Sequence, residues 1–307
     1  MPDEFAGLIA APVTAMRADG SVNLDPVEAQ ATGLTANGVV GAFVCGTTGE
    51  GVSLAAEERM AVAARWRQAA PAPKGFRVIV HVGHQSTAEA RRLAEHAERI
   101  GADAVAAAGP CFFKPACLDH LIDYCAEIAA ATALPFYYYH IPSMTGVHVK
   151  LSELLAAGSE RIPTLAGAKF THEDLMDFGL CLALDGGRFE LLFGRDEFLL
   201  AALALGARGA VGTTYGFAAP LYLRIVAAFE RGDMAAARSD QHRAMEMIRT
   251  FRAFGGGPAA AKGIMKLIGL DAGPVRPPLR TLSDEQLAQL RDQLDGQGFF
   301  EYCNRVS

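Results

Sequence analysis

One lysine of this 307-residue chain stands where a lysine is costly. Among Lys74, Lys114, Lys150, Lys169, Lys262 and Lys266, Lys169 alone falls inside an apolar run, TLAGAKF (164–170). An ammonium group there loses hydration unless it is paired or neutralised. Desolvation lowers the pKa of a lysine, and the free amine is a nucleophile toward a ketone. The competing reading is a lysine that snorkels to water from a strand end. A Schiff-base lysine acting on an α-keto acid needs a seat for the carboxylate and a proton carrier near the attacked carbon. GTTGEG (46–51) offers the first: Thr47 and Thr48 supply two hydroxyls and backbone N–H groups in a glycine-flanked turn before a predicted helix. Its plain alternative is an ordinary strand-to-helix loop, and the missing G-K-[ST] excludes a phosphate P-loop. ALPFYYYHIPSMTGV (133–147) offers the second, with three phenols in a row. Side chains alternate along a strand, so Tyr137 and Tyr139 share one face and Tyr138 takes the other. Tyr139 is nearest the carboxyl end and is the expected proton carrier. Tyr137 is expected one layer deeper, and Tyr138 packed outward.

These groups must be held by the elements around them. Eight short apolar runs cross the chain: 8–14, 39–45, 76–82, 103–109, 135–140, 164–170, 189–194 and 209–215. Longer amphipathic stretches separate them, such as 54–70 and 87–102, the second expected to start at Thr87, and 217–232 supplies an eighth helix. Nearly continuous apolar strands are those of a parallel sheet covered on both faces. Eightfold strand–helix alternation predicts an α/β fold, a (β/α)8 TIM barrel over residues 1–232, with a C-terminal helical extension over 233–307. An open doubly wound sheet is the alternative, but it lacks a G-x-G-x-x-G turn after the first strand. GGGP (255–258) reads as a helix break. The paired threonines of GTTG (46–49) and GTTY (212–215) carry no weight as a repeat.

Composition narrows the class. The net charge is −6, with no basic block, so no nucleic-acid partner is expected. No apolar run approaches the roughly 18 residues of a membrane span. The start, MPDEFAGLIAAPVT, carries acids where a signal peptide carries Lys or Arg, so a cytoplasmic protein is expected. The six cysteines form no C-x-x-C pair and are expected mostly to fill core space. The eight histidines show no metal spacing; His81 and His84 are expected to be structural, with a place at a site's edge as the alternative. No metal and no organic cofactor are expected.

GTTGE (46–50), YHIP (139–142) and GAKFT (167–171), in this order, resemble the pyruvate-dependent class I aldolases, the superfamily that includes N-acetylneuraminate lyase and dihydrodipicolinate synthase. The resemblance spans about residues 7 to 270. It implies a barrel with C-terminal helices, a homotetramer, a small-molecule partner (pyruvate and a sugar keto acid), Lys169 as the Schiff base, Tyr139 as the proton relay positioned by Thr47, and Thr47 and Thr48 at the pyruvate carboxylate. Met144 stands where the synthase branch has an arginine for its second substrate. GPCFFKP (109–115) has phenylalanines where that branch lends a phenol to a neighbouring subunit. FYYYHIP, IPTLAGAKF, LLFGRDE and GAVGTTY look most like the animal-type lyase branch. That resemblance implies Thr171, Gly194, Asp196, Glu197 and Thr213 at a polyhydroxylated substrate tail, with Thr213 in place of a serine and with Arg195 an unusual neighbour. Other pyruvate aldolases or keto-acid dehydratases, the synthase, and a non-enzymatic pyruvate or sialic-acid sensor are the alternatives.

Overall fold

A computed structural model of the chain describes residues 5–70 and 75–305; Lys74 and the acidic start lie outside them. Each apolar run becomes a parallel strand: β1 (Gly7–Ala10), β2 (Gly41–Val44), β3 (Arg77–His81), β4 (Ala104–Ala108), β5 (Phe136–His140), β6 (Leu165–Phe170), β7 (Glu190–Phe193) and β8 (Gly209–Gly212). They pair in chain order, and β8 returns to β1, so the sheet closes into a barrel. Closure covers every strand edge, and the helices cover the outer face, which is why the strands read as apolar on both sides. The covering helices are α1 (Val27–Ala36), α2 (Ala56–Ala69), α3 (Thr87–Arg99), α4 (Leu118–Ala129), the one-turn α5 (Pro142–Thr145), α6 (Leu151–Gly158), α7 (Leu175–Ala183), α8 (Leu199–Leu205) and α9 (Tyr215–Glu230). Then come α10 (Met234–Ala253), α11 (Gly257–Leu267) and α12 (Asp284–Gly296). Among the described residues no helix is long and apolar enough to cross a membrane.

Two alternating cores result. Outward-facing strand residues, Tyr138 among them, pack with the helices. Inward-facing ones, including Ile9, Phe43, Ile79, Tyr137, Tyr139 and Leu192, fill the barrel. The Tyr137 hydroxyl donates to Glu190 Oε2 at 2.7 Å, and Glu190 Oε1 accepts from the Phe5 amide at 2.8 Å, so this phenol braces the amino end of β7. Between β5 and β6 the register slips: Phe136 pairs with Leu165, but Tyr137 pairs with Gly167. The extra residue is Ala166, which joins the interior while Leu165 stays outside. Without this bulge, simple alternation from Leu165 would turn Lys169 outward. Gly167 sits at the bulge because a Cβ there would lie 1.9 Å from the Glu190 carbonyl oxygen.

Helix α3 begins at Thr87 as expected, capped by Ser86, whose hydroxyl accepts from the Glu89 amide. Local expectations fail in two places. Helix α9 begins at Tyr215, directly after the last barrel strand, rather than at 217. Only Cys45, Cys125 and Cys181 are buried; Cys111 and Cys117 are exposed and Cys303 is intermediate. Cys111 and Cys117 lie between β4 and α4, where no strand or helix face covers them.

Gly167→Ala is expected to lower stability by at least ~3 kcal/mol, because backbone rather than a flexible side chain blocks the methyl. Gly179→Ala in α7, with nothing within 4 Å of its Cβ, is expected to add about 0.5–1 kcal/mol. Urea denaturation of both variants is the measurement, and equal effects would contradict the bulge geometry.

Candidate active site

The carboxyl ends of the strands surround a cavity of about 330 Å³. Its wall contains all nine residues singled out from the sequence: Thr47, Thr48, Tyr139, Lys169, Thr171, Gly194, Asp196, Glu197 and Thr213. Tyr139 and Lys169 are register partners on β5 and β6, both turned inward. Lys169 is 4 % exposed, and its Nζ lies 4.2 Å from the centroids of both the Phe43 and Tyr139 rings. Ring faces stabilise a cation by up to about 2 kcal/mol when water is excluded. The Tyr139 hydroxyl lies 3.2 Å from Thr47 Oγ1, so amine, phenol and hydroxyl form one short row.

Below Tyr139, His81 packs edge-on at 5.8 Å between centroids. Its Nε2 accepts from the Ala108 amide at 3.3 Å, and its Nδ1 lies 3.4 Å from Arg59 Nη2. Burial, then the nearby Arg59 and Lys169 charges, hold its pKa well below the usual value, so the ring is neutral at pH 7. His81 is thus a satisfied structural residue. His84 is spent on the entry to α3, where Nδ1 accepts from the Ser86 amide at 3.0 Å.

Residues 46–51 fold tightly. A Cβ on Gly46 would lie 2.8 Å from the Phe43 ring, and one on Gly51 would lie 1.9 Å from the Cys45 carbonyl oxygen. Gly49 O accepts from Thr14 Oγ1 at 2.7 Å. Thr48 Oγ1 and Thr213 Oγ1 are 2.6 Å apart, so the loops after β2 and β8 meet through two hydroxyls. The two paired-threonine stretches are therefore neighbours in space.

Across the cavity, Asp196 follows β7 and is buried. Its Oδ2 accepts from the Thr214 amide at 2.9 Å and from Thr214 Oγ1 at 2.6 Å. Tyr222 Oη lies 2.7 Å from the same hydroxyl. A hydroxyl has one proton, so Thr214 gives its own to Asp196 and receives that of Tyr222. A Cβ on Gly212 would lie 2.1 Å from Asp196 Oδ1, so the last residue of β8 is glycine to admit this carboxyl. Burial pushes the Asp196 carboxyl up to about 6, against the lowering effect of the Thr214 hydrogen bonds.

Thr171 and Gly194 are similarly matched: a Cβ on Gly194 would lie 2.1 Å from Thr171 Oγ1. That hydroxyl is buried and has no protein partner. In a cavity wall, an unpaired hydroxyl is a seat for a ligand oxygen or for water. Arg195 turns along the rim, bonded to Glu173 at 2.5 Å and 4.0 Å from Glu197. Arg252 of α10 donates to Glu197. The result is an alternating rim, Glu173, Arg195, Glu197, Arg252. Gly255, Gly256 and Gly257, all at positive φ, carry the chain from α10 into the start of α11 and complete the wall.

Sequence reading missed Thr214, Tyr222, Gln241 and Arg252. Gln241 is buried on α10; its Nε2 donates to the carbonyl oxygens of Asp196 and Glu197 at 3.3 and 3.1 Å, and its Oε1 accepts from the Leu200 amide at 2.9 Å. The signal was present, since Gln241 is a lone amide on the buried stripe Ala237, Ala244, Ile248 and Phe251. Arg252 carries no such mark on an exposed, charge-rich face.

Known proteins agree with this architecture. The dihydrodipicolinate synthetase family matches residues 4–297. The chain is 43 % identical to the N-acetylneuraminate lyase of Rattus norvegicus, over 97 % of this chain and 94 % of that one. The Proteus mirabilis N-acetylneuraminate lyase structure superposes with a TM-score of 0.92 at 42 % identity, covering 96 % of this chain and 99 % of that one. A dihydrodipicolinate synthase from Cyanidioschyzon merolae superposes with a TM-score of 0.89 at 28 % identity, covering 96 % and 99 %. Backbone shape is thus common to both, and sequence separates them.

Asp196 supplies a test of the site's electrostatics. A carboxyl whose folded pKa is raised to about 6 adds stability that is fully present below its unfolded value near 3.8 and is lost as pH rises through about 6. Asp196→Asn keeps the acceptor for Thr214 without the ionisation. Relative to that variant, the unsubstituted protein is expected to lose ~2–3 kcal/mol between pH 4 and pH 8 in urea denaturation. Parallel stability curves would contradict it.

Proposed function

The chain belongs to the dihydrodipicolinate synthetase family, and on that premise we propose that it is an N-acetylneuraminate lyase, which reversibly cleaves N-acetylneuraminate to N-acetylmannosamine and pyruvate. The observation that carries this reading is the row of Lys169, Tyr139 and Thr47, with the Lys169 amine against two ring faces and Tyr139 Oη 3.2 Å from Thr47 Oγ1.

In the proposed reaction the Lys169 amine attacks the C2 ketone of the open-chain sugar acid. Loss of water leaves an iminium on Nζ, and the Phe43 and Tyr139 ring faces favour that positive charge. Tyr139 gives its phenol proton to the hydroxyl that departs as water, and the resulting phenolate takes the proton of the C4 hydroxyl as the C3–C4 bond breaks. The bonding electrons move onto the iminium, the C4 oxygen becomes the aldehyde of N-acetylmannosamine, and an enamine of pyruvate remains. Protonation at C3 and hydrolysis release pyruvate and the amine. Thr47 orients the Tyr139 phenol, and Thr47 and Thr48 hold the carboxylate. Thr171, Gly194, Asp196, Glu197 and Thr213 serve the hydroxylated tail: the unpaired Thr171 hydroxyl offers a donor or acceptor, and the carboxyls accept from hydroxyls. The lysine imine is the electron sink, so the reading needs no metal or organic cofactor.

Against the synthase alternative, Met144 lines the cavity and cannot make a bidentate carboxylate contact. Phe112 and Phe113 supply no phenol. A cytoplasmic homotetramer is part of the same reading and rests on the resemblance.

Purified protein is expected to release pyruvate from N-acetylneuraminate and to make no dihydrodipicolinate; the reverse pattern would overturn the assignment. Lys169→Ala is expected to abolish the pyruvate adduct trapped by borohydride. Tyr139→Phe is expected to cut turnover by ~10²–10⁴-fold, while Tyr138→Phe, whose ring packs outward, leaves turnover nearly unchanged.

A further inference from the structure

Glu50 is the one acidic residue of the GTTGEG loop, and the proposed reaction does not use it. It is fully buried, with a side-chain exposure of 0 %. Its backbone is left-handed, with φ 54° and ψ 28°, a conformation that a non-glycine residue adopts only when its surroundings hold it there. The Glu50 amide donates to Thr47 O at 3.1 Å, and Gly51 N donates to Gly46 O at 3.1 Å, so the backbone at Glu50 is tied directly to Thr47 and to the start of the loop.

Its partners come from the other end of the chain. Lys262 of α11, 3 % exposed, brings Nζ to 2.7 Å from Glu50 Oε1 and donates to Pro274 O at 2.6 Å. Glu50 Oε2 accepts from the Arg276 amide at 2.9 Å. The Arg276 guanidinium continues the tie, donating to Ser53 O at 2.9 Å and to Glu58. Taking two opposite charges out of water is a poor route to stability alone, since an apolar pair often serves as well. It is a precise route to geometry, because each charge is costly anywhere except beside the other.

We propose that Glu50 is a positioning residue: its ion pair with Lys262 sets the Thr47–Thr48 loop in the orientation that receives the keto-acid carboxylate, which makes the C-terminal helices a working part of the site. The inference rests on the lyase reading, in which that loop holds the carboxylate.

The test uses the full-length protein with pyruvate as the probe. The fraction of chains carrying a borohydride-trapped adduct is followed against pyruvate concentration, beside kcat, KM and the thermal midpoint. Glu50→Gln is expected to raise half-saturation by pyruvate about tenfold or more, the usual scale for groups that orient a ligand-binding residue. The rate at saturation is expected to stay within about threefold, and Glu50→Asp is expected to recover part of the loss. Glu50→Gln combined with Lys262→Met leaves no unpaired buried charge, so it is expected to regain the thermal midpoint but not the half-saturation. This double variant keeps the measurement possible if the single one fails to fold. A lowered thermal midpoint with half-saturation unchanged, in either variant, would reduce the pair to a structural role and overturn the proposal. Absence of any adduct in the unsubstituted protein would instead overturn the lyase reading itself.

Discussion

One extra residue in β6 decides which way Lys169 points. The slip from Phe136–Leu165 to Tyr137–Gly167 turns Lys169 from the helix-facing side to the interior and sets it beside Tyr139. The amine has ring faces for neighbours because Phe43 and Tyr139 are both interior residues near the carboxyl end. The bulge in turn requires Gly167, since β6 there runs against the Glu190 carbonyl. A backbone irregularity thus does what the residue sequence of a regular strand could not: it puts an ionisable group into a packed interior with an aromatic lining.

The cavity around that amine is opened by missing side chains as much as it is lined by present ones. Gly46 yields to the Phe43 ring, Gly194 to the Thr171 hydroxyl, and Gly212 to the Asp196 carboxyl. Each glycine lies at or just beyond the carboxyl end of a strand, where neighbouring loops converge. The polar groups admitted there are then held from behind. Thr214 and Tyr222 fix Asp196, Gln241 grips the backbone of the Asp196–Glu197 turn, and Arg252 restrains Glu197. Precision on the Asp196 side of the cavity therefore comes from α9 and α10, outside the barrel sheet.

The strands were legible because burial on both faces leaves an unmistakable apolar run, and the lysine stood out because it interrupts one. Tyr139 followed from alternation and proximity to the strand end. The bulge was not legible in direction: Leu165 and Lys169 have the same parity, yet they face opposite sides. The isolated Gly167 was the available hint. Glu50 and Lys262 are 212 positions apart, and each reads as an ordinary surface charge until the fold buries both. The paired threonines of GTTG and GTTY carried no weight as a sequence echo, and sequence had no means of telling that closure of β8 onto β1 would bring their hydroxyls together. Long-range closure is the information a linear reading lacks.

The wall of the cavity divides into two arcs with different owners. The amine, phenol and their rings belong to β2, β5 and β6; the carboxyls, the rim arginines and their braces belong to the loops after β7 and β8 and to α10. The two arcs meet at the Thr48–Thr213 hydroxyl contact, so substitutions away from that seam can accumulate on the second arc without reaching the amine. That division leaves the second arc free to be refitted while the lysine, the phenol and their rings stay where they are. Arg195 is seated on the second arc, where its guanidinium is spent on Glu173 and Glu197.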